Sequence, residues 1–205
     1  MLTYPDVVRP VDDVTEPTDP DGMLPDETDV VDEALTALKV AVREIEAYAA
    51  ESGWDQQARL FALVPTSDLL AREPSLAEAL GVDPDTAGES LTPVEQEPVP
   101  ADHQLEDVLA QIMWPAEVFG CAAVVERLVL PPSVDGELPE DPEAAQEFAS
   151  EHPDRQEVRI VAAATRAGTT YCALRLRSHD DDFSVLESRD LVPALLELLS
   201  GTLEQ

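Results

Sequence analysis

The chain has 205 residues, with 44 acidic against 12 basic side chains and a formal charge of −32 at pH 7. A surface of that sign repels duplex DNA and anionic membranes, which are bound through cationic side chains that displace counterions. Nucleic-acid and membrane-surface roles are therefore excluded, while a basic protein partner, or none, fits; solubility or adaptation to a salty or high-GC setting is the plainer source of the acidity. Lys39 is the one lysine and the other eleven bases are arginines. Two cysteines, Cys121 and Cys172, are too few for a disulfide framework, and their apolar neighbours predict buried free thiols.

The opening residues, MLTYPDVVRPVDDV, have no basic segment followed by an apolar core, so no secretion signal is expected. No apolar run reaches the length of a membrane span. A cytoplasmic location is the expectation. Residues 1–28 hold eight acids, one arginine and five prolines, a composition that cannot bury enough apolar surface to offset its ordering entropy. A disordered acidic tail is predicted there, followed by a single α+β domain over 29–205, which carries 36 acids and 11 bases.

The domain opens with a predicted helix from a cap at Asp29 to about Ser52. Val31, Ala34, Leu35, Leu38, Val42, Ile45 and Ala49 repeat at three and four and form one apolar stripe. Gly53 ends it. ARLFALV, 58–64, reads as a strand stopped by Pro65. Two short helices follow, the second with Ser75 and Glu78 at capping-box spacing. Residues 83–103 read as a long, acidic, proline-rich loop.

QLEDVLAQIMW, up to Pro115, shows helical spacing through Leu105, Val108, Leu109 and Ile112. CAAVVERLVL, 121–130, is a strand. A second acidic loop holds a short helix with Asp141 as N-cap and Pro142 as its first residue. EVRIVAAAT and TTYCALRLR, 157–165 and 169–177, form a hairpin. A three-residue loop pairs Thr165 with Thr169 and gives Gly168 the left-handed position. In that register Val158, Ile160 and Ala162 share a face with Leu176, Leu174 and Cys172. Arg159 shares the other with Arg175, and Glu157 falls opposite Arg177. A helix from Leu191 to Leu203, capped by Asp190, closes the chain. The expected architecture is a four-stranded, mainly antiparallel sheet packed against long N- and C-terminal helices.

The stretch YCALRLRSHDDD, 171–182, concentrates the polar chemistry. His179, Asp180 and Asp182 are weak candidates for a hard cation. The turn lacks the glycine and distal glutamate of a calcium loop, which favours a polar exit from the sheet. No nucleophile, base and orienting group share a recognisable spacing, so no catalytic residue and no cofactor is assigned. Arg127, Arg159, Arg175 and Arg177 are expected to form a positive stripe on one sheet face. It would hold a carboxylate or an acidic peptide, or else pair internally with Glu126, Glu157 and the acidic loops. Trp54 and Trp114, each beside a chain break, are candidate binding aromatics or plugs at the ends of the core.

GWDQQARLFALVPT, LTPVEQE, WPAEVFGCAAVVERLVLPP, LPEDPEAA and ALRLRSHDDD, taken in order, resemble a family of small acidic actinobacterial proteins of unassigned function. The likeness runs from about residue 30 to the C-terminus. Gln57 departs from the proline usual in that family. The resemblance implies a cytoplasmic single-domain protein and brings no activity, cofactor or catalytic residue. Charge, loops and the missing catalytic set together predict a non-enzymatic, chaperone-like or protein-interaction module for a basic partner. The alternative is a small-molecule or divalent-metal protein, possibly an enzyme, using the strand end around Arg175, Arg177 and His179–Asp182.

Overall fold

The computed structural model describes residues 27–76, 87, 90–100, 103–131, 134, 138–139 and 141–204. The predicted tail lies almost wholly outside these residues, as do most of the second short helix with Glu78 and parts of both acidic loops.

The apolar stripe makes helix α1, Glu27–Glu51. Asp29 lies within its first turn, not at a cap. Leu38, Ala41, Val42, Ile45 and Ala49 are buried, and the helix stops at Gly53, which takes φ +75°. Strand β1 is Arg59–Pro65 and runs directly into helix α2, Thr66–Arg72. Strand β2, Leu91–Glu95, follows. Helix α3 is only Leu105–Leu109, shorter than the periodicity predicts. Strand β3 is Gly120–Val129 and helix α4 is Pro142–Glu151, with Asp141 Oδ1 accepting from the Ala144 N–H as predicted. Strands β4, Gln156–Thr165, and β5, Thr170–Leu176, form the hairpin. Two 3₁₀ turns, Arg177–His179 and Asp182–Ser184, lead to strand β6, Leu186–Ser188, and helix α5, Pro193–Gly201.

Among the described residues the sheet has six strands, not four, in the antiparallel order β2-β1-β3-β4-β5-β6. Both additional strands are edges. β2 lies inside the stretch read as a loop; Pro93 argues against a strand in sequence, and an edge tolerates it because one side of the strand needs no partner. β6 has three residues, too few for an alternation to register. The C-terminal helix is also shorter than predicted, nine residues starting at Pro193, with Val192 rather than Asp190 at its N-cap.

Alternation along the strands makes two cores. Phe61, Leu63, Val124, Val161 and Tyr171 pack against α1. Leu60, Val125, Val158, Ile160 and Cys172 pack with α3 and α5 on the other side. The central strands are therefore apolar on both faces. The hairpin takes the predicted register, with Arg159 opposite Arg175 and Ala162 opposite Cys172. Its loop is closed by the Gly168 N–H donating to Thr165 O at 3.0 Å, with Gly168 at φ +78°. At Gly120 an added Cβ would stand 2.6 Å from Ala164 O, so β3 and β4 approach closely only because that side chain is absent.

The register corrects the arginine stripe twice. Arg127 lies opposite Val158, one residue out of phase with Arg159, and so belongs to the α3–α5 face while Arg159 belongs to the α1 face. Arg159 and Arg175 do not point to solvent; they are 1 % and 3 % exposed, on the sheet face that α1 covers.

Candidate functional site

Three pieces of sequence meet where α1 ends above the sheet: the Gly53–Gln56 turn, the Arg159–Arg175 pair, and the His179–Asp182 turn. Glu46 faces the sheet from α1 because it lies four residues after Val42 and three before Ala49, inside the buried arc. Arg175 reaches it with two parallel bonds, Nε to Oε1 at 2.6 Å and Nη2 to Oε2 at 2.8 Å. This is the fork-to-fork geometry that suits a guanidinium to buried pairing. Arg175 also donates to Asp180 (Nη1 to Oδ1, 3.3 Å) and Asp182 (Nη2 to Oδ1, 2.8 Å). Hydrogen bonding to Glu46, outweighing the opposing effect of burial, holds its pKa well above the ordinary guanidinium range.

The turn after α1 is built around a second carboxylate. Asp55 adopts φ +65°, and it and Gln56 aim their backbone N–H groups at Glu126 Oε2, at 2.7 and 3.2 Å. Glu126 Oε1 accepts from Arg159 Nε and Nη2, at 3.2 and 2.9 Å. Nη2 of Arg159 also donates to Gly53 O. The Trp54 ring lies over Arg159 and Arg177, with its centroid 4.4 Å from the Arg159 guanidinium carbon and 5.6 Å from that of Arg177. The indole N–H donates to Asp180 Oδ2 at 2.9 Å and so joins the two turns. Arg177 clamps Asp55 with bonds of 2.9 and 3.0 Å and donates to Glu157, the predicted cross-strand partner. Asp55 is held below the usual carboxylate range by Arg177. Asp181 is likewise lowered, first by the Ser184 hydroxyl; it caps the turn that follows.

Of the two readings of the arginine stripe, internal pairing is the one found, with Glu126 and Glu157 among the partners. Arg159, Arg175 and Arg177 are paired with six carboxylates: Glu46, Asp55, Glu126, Glu157, Asp180 and Asp182. Asp182 and Asp55 are 88 % and 76 % exposed, and Asp180 and Glu157 are 47 % and 43 % exposed. Arg159 and Arg175 lie beneath, Arg159 with its Nη1 left without a hydrogen-bond partner, Arg177 is partly exposed, and a rim of carboxylate oxygens faces water.

Among the described residues no group of three or more His, Cys, Asp or Glu is placed to hold a metal ion. Asp180 and Asp182 are turned to Arg175, and His179 Nδ1 lies 3.0 Å from Ser178 Oγ on the surface.

Arg127 and Trp114 lie elsewhere. Arg127 pairs with Glu106 at 3.0 Å. That pair stands between a polar cleft of about 560 Å³, bounded by Gln56, Gln57 and His103, and an apolar one of about 340 Å³ against Ile160, Pro193 and Leu198. Trp114 is buried in the α5-side core. Its indole N–H is buried with no hydrogen-bond partner among the described residues. Cys121 is fully buried, and burial pushes its pKa up to about 11; burial also raises Cys172. Neither is a nucleophile in this state.

Glu46, Asp55 and Arg166 are missing from the sequence-derived candidates. A charged residue inside the apolar arc of α1 was a readable sign of a buried partner. Asp55 had no such sign, because its left-handed backbone follows from the turn it closes. Arg166, in the hairpin loop, donates to the carbonyls of Val118, Trp114, Pro115 and Leu203 and fastens the end of the chain to the β3 entry.

Fold and cluster define an α+β protein with a six-stranded antiparallel sheet, whose interior arginines are neutralised beneath an acidic rim. The chain belongs to the family of PPA1309-like proteins, whose family model matches residues 38–204. No curated protein and no solved structure matches it. No helix among the described residues is long and apolar enough to cross a membrane.

Proposed function

We propose that this protein is a non-enzymatic interaction module of an actinobacterial cytoplasm, and that it takes a basic protein partner on the carboxylate rim around Trp54. The observation that carries the reading is the charge balance of the cluster, three guanidinium groups against six carboxylates, with the surplus on the exposed side. A rim fixed by buried pairs is preorganised, so a cationic partner meets oriented oxygens without ordering them first. The small-molecule or metal alternative draws less support, because Nε, Nη1 and Nη2 of Arg175 already have carboxylate partners.

Fluorescence anisotropy with labelled octalysine and octaglutamate tests the reading. Octalysine binds, weakens steeply between 50 and 300 mM salt (roughly the range over which surface charges become screened), and loses affinity in Asp182→Asn. Octaglutamate does not bind. Equal binding of both peptides, or of neither, contradicts the proposal.

A further inference from the structure

The acidic rim continues directly into an open sheet edge. β6 is the last strand of the sheet, paired with β5 on one side and with no strand among the described residues on the other. An open edge offers backbone donors and acceptors to any extended chain. The opposite edge, β2, carries Pro93, which blunts strand addition; β6 has no proline.

The surface beside β6 is apolar in a way that its fold does not use. Phe183 is fully exposed, at 101 %, and Leu186 is 56 % exposed. Leu186 pairs with Leu174 and so continues the α5-side face of the sheet to its rim. A free aromatic and a free leucine within four residues of an unpaired edge mark a contact surface more often than chance. The charges around them are mostly acidic. Asp180, Asp181 and Asp182 precede the strand, Glu187 lies within it and Asp190 follows. Arg189 is the one cation on the segment, and Arg43 is already bound to Glu187 at 2.7 Å.

We infer that the β6 edge is where the basic partner docks: an extended segment alternating apolar and cationic residues adds as a seventh strand, its apolar side on Phe183 and Leu186 and its cations along Asp180–Asp182. A second copy of this chain is a poorer occupant, because it would bring the same acidic turn against itself. This assignment rests on the basic-partner reading above and gives it a place and a binding mode.

Two eight-residue probes of equal charge separate the mode from the charge. One alternates valine and lysine; the other replaces two of its valines with proline, which keeps the charge and prevents strand pairing. The alternating peptide binds at least about tenfold more tightly, slows amide exchange at Leu186–Ser188, and loses about tenfold in affinity in Phe183→Ala, a change at a fully exposed side chain that leaves folding intact. Equal affinity for the two peptides, with no protection of β6, overturns strand addition but leaves the basic-partner reading standing. Failure of both peptides to bind removes the two together. Dimerisation in light scattering that Leu186→Lys abolishes overturns the assignment in favour of a second copy.

Discussion

The Glu46–Arg175 pair shows how a residue's role is set by what lies above it. On an open sheet face Arg175 would be a ligand-binding group; beneath α1 it is half of a buried ion pair. Removing one partner from an isolated buried pair costs about 3–5 kcal/mol; here Asp180 and Asp182 still accept from Arg175, so the loss is smaller. Glu46→Ala should lower the urea midpoint accordingly, and Arg175→Met combined with Glu46→Leu should recover much of the loss. A Glu46→Ala protein as stable as the parent would mean the pair is not buried in solution. Glu187 supplies a pH prediction. Arg43, and then the Tyr171 hydroxyl, hold its carboxyl below the usual glutamate range. The stability it contributes is complete above the unfolded value near ~4.3 and is lost as pH falls through its lower folded value. Glu187→Gln should be less stable at pH 7 and lose less between pH 5 and 3, as read by thermal unfolding. The thiols give a simpler check: Cys121 and Cys172 should stay unreactive to a thiol reagent in the native protein and titrate fully in denaturant.

At the scale of elements, legibility in the sequence followed the strength of local patterning. The β4–β5 hairpin was readable to the residue, because a wrong register would have mixed Arg175 with Ile160. The Asp141–Pro142 helix start was readable from its capping residues. The edges were not. β2 runs through a proline-containing acidic stretch, and β6 has only three residues, so each exists because a neighbouring strand offers hydrogen bonds. The candidate site was half legible for a related reason. The arginines, Trp54 and the Asp180–Asp182 turn are legible in the sequence, but the cover that α1 places over Arg159 and Arg175 is not. The hairpin alone shows which residues share a face, whereas only the packing of α1 shows which face is covered. Arg127 carries no sign of its face, because β3 is apolar on both sides and only the β3–β4 register separates it from Arg159. Close β3–β4 contact at Gly120 has its own test. Gly120→Ala forces backbone apart and should cost about 1–3 kcal/mol, seen as a lowered thermal midpoint; an unchanged midpoint would contradict the approach.

For the whole molecule the dominant quantity is the charge of −32, set against arginines already tied to Glu187, Glu95, Glu106, Glu126, Glu46 and Asp55. What remains for long-range interaction is negative. Self-repulsion at that charge is relieved by screening, so the thermal midpoint should rise between low and moderate salt; a fall would mean that exposed ion pairs outweigh repulsion. On the proposed reading the same field would steer a cationic partner toward the molecule, and the rim and the β6 edge would decide where it comes to rest. An NMR titration of the ¹⁵N-labelled protein with the alternating valine–lysine peptide tests this most directly. The account predicts shift changes concentrated at Trp54–Gln56 and Asp180–Ser188. Changes spread evenly over every acidic surface, or centred on the cleft beside Arg127, would contradict it.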